Sequence, residues 1–202
     1  MLRGVENNLL GAWHLLAGKQ TALKHMDFSR NAMKQSWRAM LLALPFIVLG
    51  AYASKVTGPV AAEMAKLNGY ATAPLPSTLL SVLIGIAVWI AGVAMQRAMA
   101  VLFGKPEKAN AIVVINNWFR LLINFVGAPF ALLTALHWLD PKAELMIIFC
   151  LAVYAVALQT WISAVVLDIS WWRATAMTLA VMLAEFLAIE LVAGMSFGVK
   201  LG

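Results

Sequence analysis

This chain of 202 residues is 63% hydrophobic and 12% charged, whereas a soluble globular domain is about half apolar and about a quarter charged. The composition excludes an ordinary soluble domain and indicates a polytopic membrane protein. The formal net charge of +6 is spread between apolar runs, which favours anionic lipid as the counterpart and argues against nucleic acid. The single cysteine, Cys150, rules out a disulfide framework within one chain and is expected to be a small buried hydrophobe.

Residues 1–36 form a basic, partly helical segment that we expect on the cytoplasmic side. Helical spacing places Val5, Leu9, Trp13 and Leu16 on one side, which is typical of an amphipathic helix lying on the membrane or on the bundle. No small-residue cleavage site follows, so we expect no signal peptide. A basic segment that flanks a span binds the anionic leaflet. The expected membrane-surface and lipid-contacting residues are Lys19, Lys24, Arg30, Lys34, Arg38, Trp13 and Trp37.

Five apolar runs are long enough to cross a bilayer as helices, so the sequence predicts an all-α polytopic integral membrane bundle. A Gly- and Pro-rich loop is predicted at 55–78, within which 60–67 are able to form a short helix. The third run exceeds the roughly 30 Å hydrocarbon core, and Gly127 and Pro129 predict a kinked, continuous helix there. The five spans, which form one transmembrane unit over residues 37–199, are predicted at 37–54, 79–103, 110–138, 144–167 and 174–199.

The basic residues predict the orientation. With the amino terminus inside, ten Lys and Arg residues fall on inner segments and four on outer segments, and positive charge concentrates on the cytoplasmic side. Trp37, Trp171 and Trp172 then mark the inner interface and Trp138 the outer one, as an aromatic belt requires. The expected location is the bacterial inner membrane, with a cytoplasmic amino terminus and an outer carboxyl terminus.

The third span carries a polar stripe inside a membrane-grade apolar run. Asn116, Arg120 and Asn124 recur every fourth residue, and Asn117 lies beside them. An ionisable group at bilayer depth is costly, so it normally faces protein or water and is paired. The stripe has two possible interpretations. Its side chains either bond neighbouring helices together in a buried contact or line a water-filled path.

Two glutamates in the fifth span are possible partners for this stripe. Counted from the inner face, Arg120 and Glu185 both lie about 15 Å deep, so they are predicted to pair. Glu190 lies about 140° from Glu185 around the helix, where it would bond Gln159, Thr160 or water, or be protonated. The expected intramembrane polar cluster is Arg120, Glu185, Glu190, Asn116, Asn117 and Asn124.

Recognisable catalytic motifs are missing from the sequence. It has no HExxH, GxSxG, Walker glycine loop, CxxC or GxGxxG, so we expect no enzyme, no catalytic residue, no metal site and no cofactor. The neighbourhood of His137 and Asp140 is expected to be an interfacial pair rather than a catalytic one.

The stretch HMDFSRNAMKQSWRAMLLALPF, residues 25–46, is similar to the lead-in of small uncharacterised bacterial membrane proteins. A polar, partly helical amino terminus followed by five closely spaced spans resembles the Ypt-interacting-protein (Yip) domain superfamily, and the resemblance covers most of the chain by layout. It implies a non-enzymatic membrane protein of organisation, assembly or trafficking type and assigns a role to no individual residue.

Two functions remain open. The favoured one is a scaffold, assembly or accessory subunit of a membrane complex, which binds the anionic bilayer and other membrane subunits or a second copy. Small surfaces at Ser81, Gly85 and Gly92 would let other helices approach. The alternative is a small transporter or channel whose polar path is lined by Arg120, Glu185 and Glu190, with the asparagines of the third span.

Overall fold

The computed structural model describes residues 2–67 and 77–197, and within these ranges every regular element is helical. Five helical stretches there are long and apolar enough to cross a membrane, which confirms the predicted number. They are Arg30–Pro59, Thr78–Leu102, Pro106–Ala135, Lys142–Leu167 and Trp171–Gly194.

Seven α-helices and two short 3₁₀ turns follow one another within residues 2–67 and 77–197. The helices are α1 (Leu2–Leu16), α2 (Arg30–Ser36), α3 (Arg38–Leu67), α4 (Thr78–Leu102), α5 (Ala109–Ala135), α6 (Pro141–Leu167) and α7 (Trp171–Phe197). The 3₁₀ turns are Gln20–His25, after α1, and Pro106–Lys108, before α5.

Helix α5 is the centre of the bundle. From Ala109 to Leu122 nearly every side chain is buried, because α1, α2, α3, α4 and α6 all pack against it. Helix α7 packs mainly on α4 and to a lesser extent on α6. The second half of α5 is only partly buried. The helix therefore has a tightly enclosed first half and a more open second half.

The predicted loop at 55–78 is wrong over residues 55–59, where α3 continues through Gly58 and Pro59, whereas the short helix predicted at 60–67 is present as the last part of α3. The segment is packed rather than looped out, since Thr57 is buried and its hydroxyl donates to the carbonyl of Ala53. A proline fixes a φ that suits a helix, and local adjustment satisfies the carbonyl that it frees. Residues 68–76 lie outside the described residues.

Helix α5 also continues through Gly127 and Pro129, so the prediction of one continuous helix is confirmed. It ends at Ala135, three residues before the predicted boundary, and His137 has a φ of 58° in the turn that follows. Asp140 begins the next helix, because its carboxylate accepts from the backbone N–H groups of Lys142 and Ala143 at 2.8 and 3.3 Å. Asp140 is thus the cap of α6.

Helix α1 packs against α5 and against the chain ahead of α2. The buried positions are Asn8, Gly11, Ala12 and Leu15, whereas Trp13 is 49% exposed. A side chain at Gly11 would collide with Met26. Asn8 accepts from Asp27 N at 2.8 Å and donates to Asp27 O at 3.2 Å, which ties α1 to the chain ahead of α2. The buried face of α1 is thus shared between α5 and the segment that contains Met26 and Asp27.

Leu9 and Leu16, from the predicted face, are partly buried against the bundle, and the side chain of Val5 lies outside the described ones. The hydroxyl of Tyr154, near the middle of α6, donates to Leu16 O at 2.8 Å. The end of α1 therefore lies alongside the bundle.

Helix α6 turns a broad apolar face outward. Met146, Phe149 and Val153 are exposed on it, and Cys150 shares this face. The expectation that Cys150 is buried is wrong, because α6 is packed on one side only.

Candidate functional site

The ion pair predicted between α5 and α7 is present. Nη2 of Arg120 donates to Oε1 of Glu185, and the two side chains are 15% and 23% exposed. It is the one ion pair within the described ranges. The partial burial strengthens the attraction relative to a surface pair, because fewer waters screen the two charges.

Gly92 of α4 makes room for this ion pair. A methyl group at Gly92 would collide with both Nη2 of Arg120 and Oε1 of Glu185. The sequence pattern predicted Gly92 as a small surface for another helix, and α4 and α7 do pack closely. The structure adds that two charged side chains cross this surface, so α4, α5 and α7 meet at one point.

Asn117 holds α5 to two other elements. Its Oδ1 accepts from Trp89 Nε1 on α4 at 2.8 Å, and its Nδ2 donates to Ser36 Oγ on α2 at 2.9 Å. The Ser36 hydroxyl in turn donates to Met33 O at 2.7 Å. All three side chains of the first two bonds are buried. This chain of bonds is buried and joins α5 to α4 and α2, and the sequence pattern predicted a role for neither Trp89 nor Ser36.

Asn124 remains on its own helix, where Nδ2 donates to the carbonyl of Arg120 at 2.8 Å. Of the predicted stripe, Arg120 thus bonds across helices to α7 and Asn117 to α2 and α4. Asn124 therefore bonds to the backbone of the residue that forms the ion pair.

Asn116 faces a small enclosed cavity. It is 3% exposed, and its Nδ2 has no hydrogen-bond partner in the described chain. The Oε1 of Gln96 and the Oγ of Ser163 are also buried without partners, and both residues line the same cavity of about 10 Å³. A donor, an acceptor and a hydroxyl around a space of this size suit one water molecule.

Glu190 does not join the cluster. It lies exposed on the outward surface of α7, beside Phe186, Leu187 and Leu191, and forms no ion pair with the described part of the chain. The hydroxyl of Thr160, a predicted partner, instead donates to the carbonyl of Val156 or to Thr178 Oγ1, both at 2.9 Å. The five-residue separation from Glu185 explains the position, because the two carboxylates project from different sides of the helix.

One larger cavity adjoins the ion pair, and a second cavity adjoins the first. The first, of about 340 Å³, is lined by Arg120 and Glu185 together with Gln159 and Thr178. The second, of about 320 Å³, shares Asn124 and three apolar residues with the first. The shared lining makes the two cavities neighbours along the second half of α5.

Glu144 of α6 lines the second cavity and was missed from the sequence. It is 2% exposed, and its Oε2 has no hydrogen-bond partner. An acid in the first turn of a helix is usually solvated and is stabilised by the positive end of the helix dipole. The sequence pattern therefore gave no reason to expect Glu144 in a cavity. The available signal was spacing: Glu144, Ile148, Leu151 and Ala155 follow a helical repeat and line one cavity.

The predicted lipid-contacting residues lie mostly on the surface. Trp13 is about half exposed, Trp37 is partly buried, and the basic side chains are exposed. Trp37 also lines a groove of about 600 Å³ together with Arg97 of α4. The exposed basic residues are Lys19, Lys24, Arg30, Lys34 and Arg38.

Comparison of the chain with protein-family models, with curated proteins and with solved structures found no match. Among the residues that the structure describes, no group of three or more His, Cys, Asp or Glu side chains has the arrangement of a metal site. The function is therefore inferred from the chain's own residues.

Proposed function

We propose that the protein is a non-enzymatic integral inner-membrane protein that acts as a scaffold, assembly or accessory subunit of a membrane complex. Two polar side chains of α5 support this proposal, because they are bonded to neighbouring helices. Arg120 bonds to Glu185 of α7, and Asn117 bonds to Trp89 of α4 and Ser36 of α2. Such bonds make a rigid platform and leave the outer helix surfaces for partners.

The position of Glu190 carries the proposal. It lies inside the candidate span Trp171–Gly194, on an outward surface with exposed Phe186, Leu187 and Leu191. A carboxylate that faces lipid costs about 2.5–3.5 kcal/mol at mid-span and less toward the end. A partner helix that presents a lysine, an arginine or another hydrogen-bond donor at this depth would offset that cost.

A second copy of this chain is a poorer fit to the same surface. A symmetric α7–α7 contact would bring two Glu190 carboxylates together, and like charges in a low dielectric repel. The favoured partner is thus a helix of another membrane subunit.

The amino-terminal segment is proposed to lie on the cytoplasmic side and to hold anionic lipid. Its basic side chains, including Arg30, Lys34 and Arg38, are exposed and unpaired within the described chain. Each basic residue near an anionic leaflet contributes about 1 kcal/mol of attraction. The layout that resembles the Yip domain superfamily agrees with a role in membrane organisation or assembly.

Site-specific photocrosslinking in the native membrane tests the scaffold proposal. A photoreactive residue at Leu187, one turn from Glu190, should yield one defined protein adduct, whereas the same residue at Val153 on the exposed face of α6 should yield lipid adducts. Glu190→Gln should weaken the Leu187 adduct, because the partner's donor loses its anionic acceptor. Identical adduct patterns at both positions would contradict a docking surface on α7.

The two adjoining cavities favour a second candidate function, a small transporter or channel. They place Arg120, Glu185, Asn124 and Glu144 along one side of α5, and Glu190 is not among these residues. Purified protein in liposomes would then carry an ion or solute flux above that of protein-free liposomes. The double variant Arg120→Met, Glu185→Leu should abolish the flux, and a flux that persists in it would exclude this path.

A further inference from the structure

We propose that the cavity at Glu144 is a binding site for a small protonated amine with a short hydrocarbon body. The cavity lies where α5 ends and α6 begins, and α3 closes its third side. This inference concerns a ligand site and does not depend on the scaffold proposal, which concerns the outer surface of α7.

The first observation is a buried carboxylate without a counter-charge. Glu144 is almost fully buried, Oε2 has no hydrogen-bond partner, and no ion pair to it exists within residues 2–67 and 77–197. A buried charge without a partner is costly. A cationic ligand would supply the missing charge.

The second observation is that the polar lining offers acceptors. The Ser54 hydroxyl already donates to Ala51 O at 2.8 Å, and the Thr57 hydroxyl donates to Ala53 O at 3.4 Å. Nδ2 of Asn124 donates to Arg120 O, which leaves the Asn124 Oδ1 available. The hydroxyl oxygens retain free lone pairs. A ligand with several N–H donors matches this set, whereas an anion finds no cationic group in the lining.

The third observation is the size and apolar character of the cavity. Its volume of about 320 Å³ is many times the roughly 30 Å³ that one water occupies in the liquid. Phe46, Phe130, Ile147 and Leu151 form much of the remaining wall. A bare metal ion would leave this apolar space unfilled. A primary amine places its ammonium group at Glu144 and its carbon chain against these side chains.

Calorimetric titration of the full-length protein in detergent micelles tests the site, with n-butylammonium chloride as the probe. We expect saturable binding and a rise in the thermal unfolding midpoint, because a ligand that binds only the folded state stabilises it. Three controls are titrated at the same concentrations. Sodium chloride supplies an inorganic cation without a carbon chain, n-butanol supplies the carbon chain without a charge, and sodium butyrate supplies the carbon chain with a negative charge. None of the three should bind in this way.

Two variants target the cavity, and one matched variant serves as control. Glu144→Gln should weaken butylammonium binding by about tenfold or more, since hydrogen bonds to charged groups are among the strongest. Gly50→Leu should block the cavity while the fold is retained, because open space surrounds Gly50 where a side chain would start. Glu190→Gln removes an exposed acid of α7 and should leave binding unchanged.

Loss of binding in Glu144→Gln and Gly50→Leu with retention in Glu190→Gln would support the site. Equal weakening in both glutamine variants would show general attraction to negative charge and overturn the proposal. Equal binding of sodium ion, butanol or butyrate, or no saturable binding of butylammonium, would overturn it as well. If Glu144→Gln does not fold, unaltered binding in Gly50→Leu would refute the cavity as the site.

Discussion

Replacement of the Arg120–Glu185 pair by apolar residues separates its pairing energy from the cost of each single change. Arg120→Met leaves Glu185 partly buried without its cation, and Glu185→Leu leaves Arg120 without its anion. Breaking a buried pair costs about 3–5 kcal/mol. The side chains of Arg120 and Glu185 are still 15% and 23% exposed. We therefore expect each single variant to lose about 3 kcal/mol in free energy of unfolding, the lower end of that range.

The double variant should lose no more stability than either single variant, because no unpaired charge is left behind. That outcome corresponds to a coupling energy of about 3 kcal/mol. Equilibrium unfolding in mixed detergent micelles, followed by tryptophan fluorescence, measures the three losses in free energy of unfolding. Additive losses would refute the pairing.

Glu190→Leu provides a matched control in the same helix. Glu190 is exposed and makes no ion pair in the described chain, so its combination with Arg120→Met should be additive within about 0.5 kcal/mol. Coupling of similar size in this control cycle would mean that removal of any acid from α7 relieves the arginine variant, and the specific pairing would then be unsupported.

The packing and the charge pattern predict the outcome of five further changes. Gly92→Ala should lower the free energy of unfolding by about 1–3 kcal/mol through collision with the ion pair, whereas Gly127→Ala, which meets open space in α5, should raise it by about 0.5–1 kcal/mol in the same unfolding assay. Trp89→Phe removes a buried donor to α5 and should cost about 1–3 kcal/mol, measured by thermal unfolding. Reporter fusions within residues 55–78 should report the outer side of the membrane, and a cytoplasmic signal would reverse the predicted topology. Removal of residues 1–28 should leave the five spans inserted, as judged by reporter fusions, but reduce stability and anionic-lipid binding; failure to insert would make the segment essential for the bundle to form.

Hydropathy and depth were enough to predict several features. The five candidate spans follow from long apolar runs, because a helix needs about 20 such residues to cross a bilayer. The contact of Arg120 with Glu185 follows from equal depth and from the cost of an unpaired charge. These features depend on one helix at a time or on distance from one face.

Features that depend on how helices approach one another could not be predicted. The buried face of α1 is an example: the fit of Gly11 against Met26 and the bonds of Asn8 to Asp27 depend on a segment that lies elsewhere in the chain. Likewise, Gly58 and Pro59 are typical of a loop, yet α3 runs through both. From the sequence alone, Glu144 is an ordinary acid in the first turn of a helix. Its burial depends on residues of α3 and α5 that lie elsewhere in the chain.

The two halves of α5 are suited to different tasks. Its first half is enclosed by five helices and bonded through Asn117, so it is expected to be rigid, as close-packed interiors are. The second half borders two cavities and has fewer packed neighbours, so it is free to adapt to an occupant. Asn124 joins the halves, because it lines both cavities and bonds to the backbone of Arg120. A ligand at Glu144 would therefore touch a residue that is tied to the ion pair, and a change in either should be felt at the other.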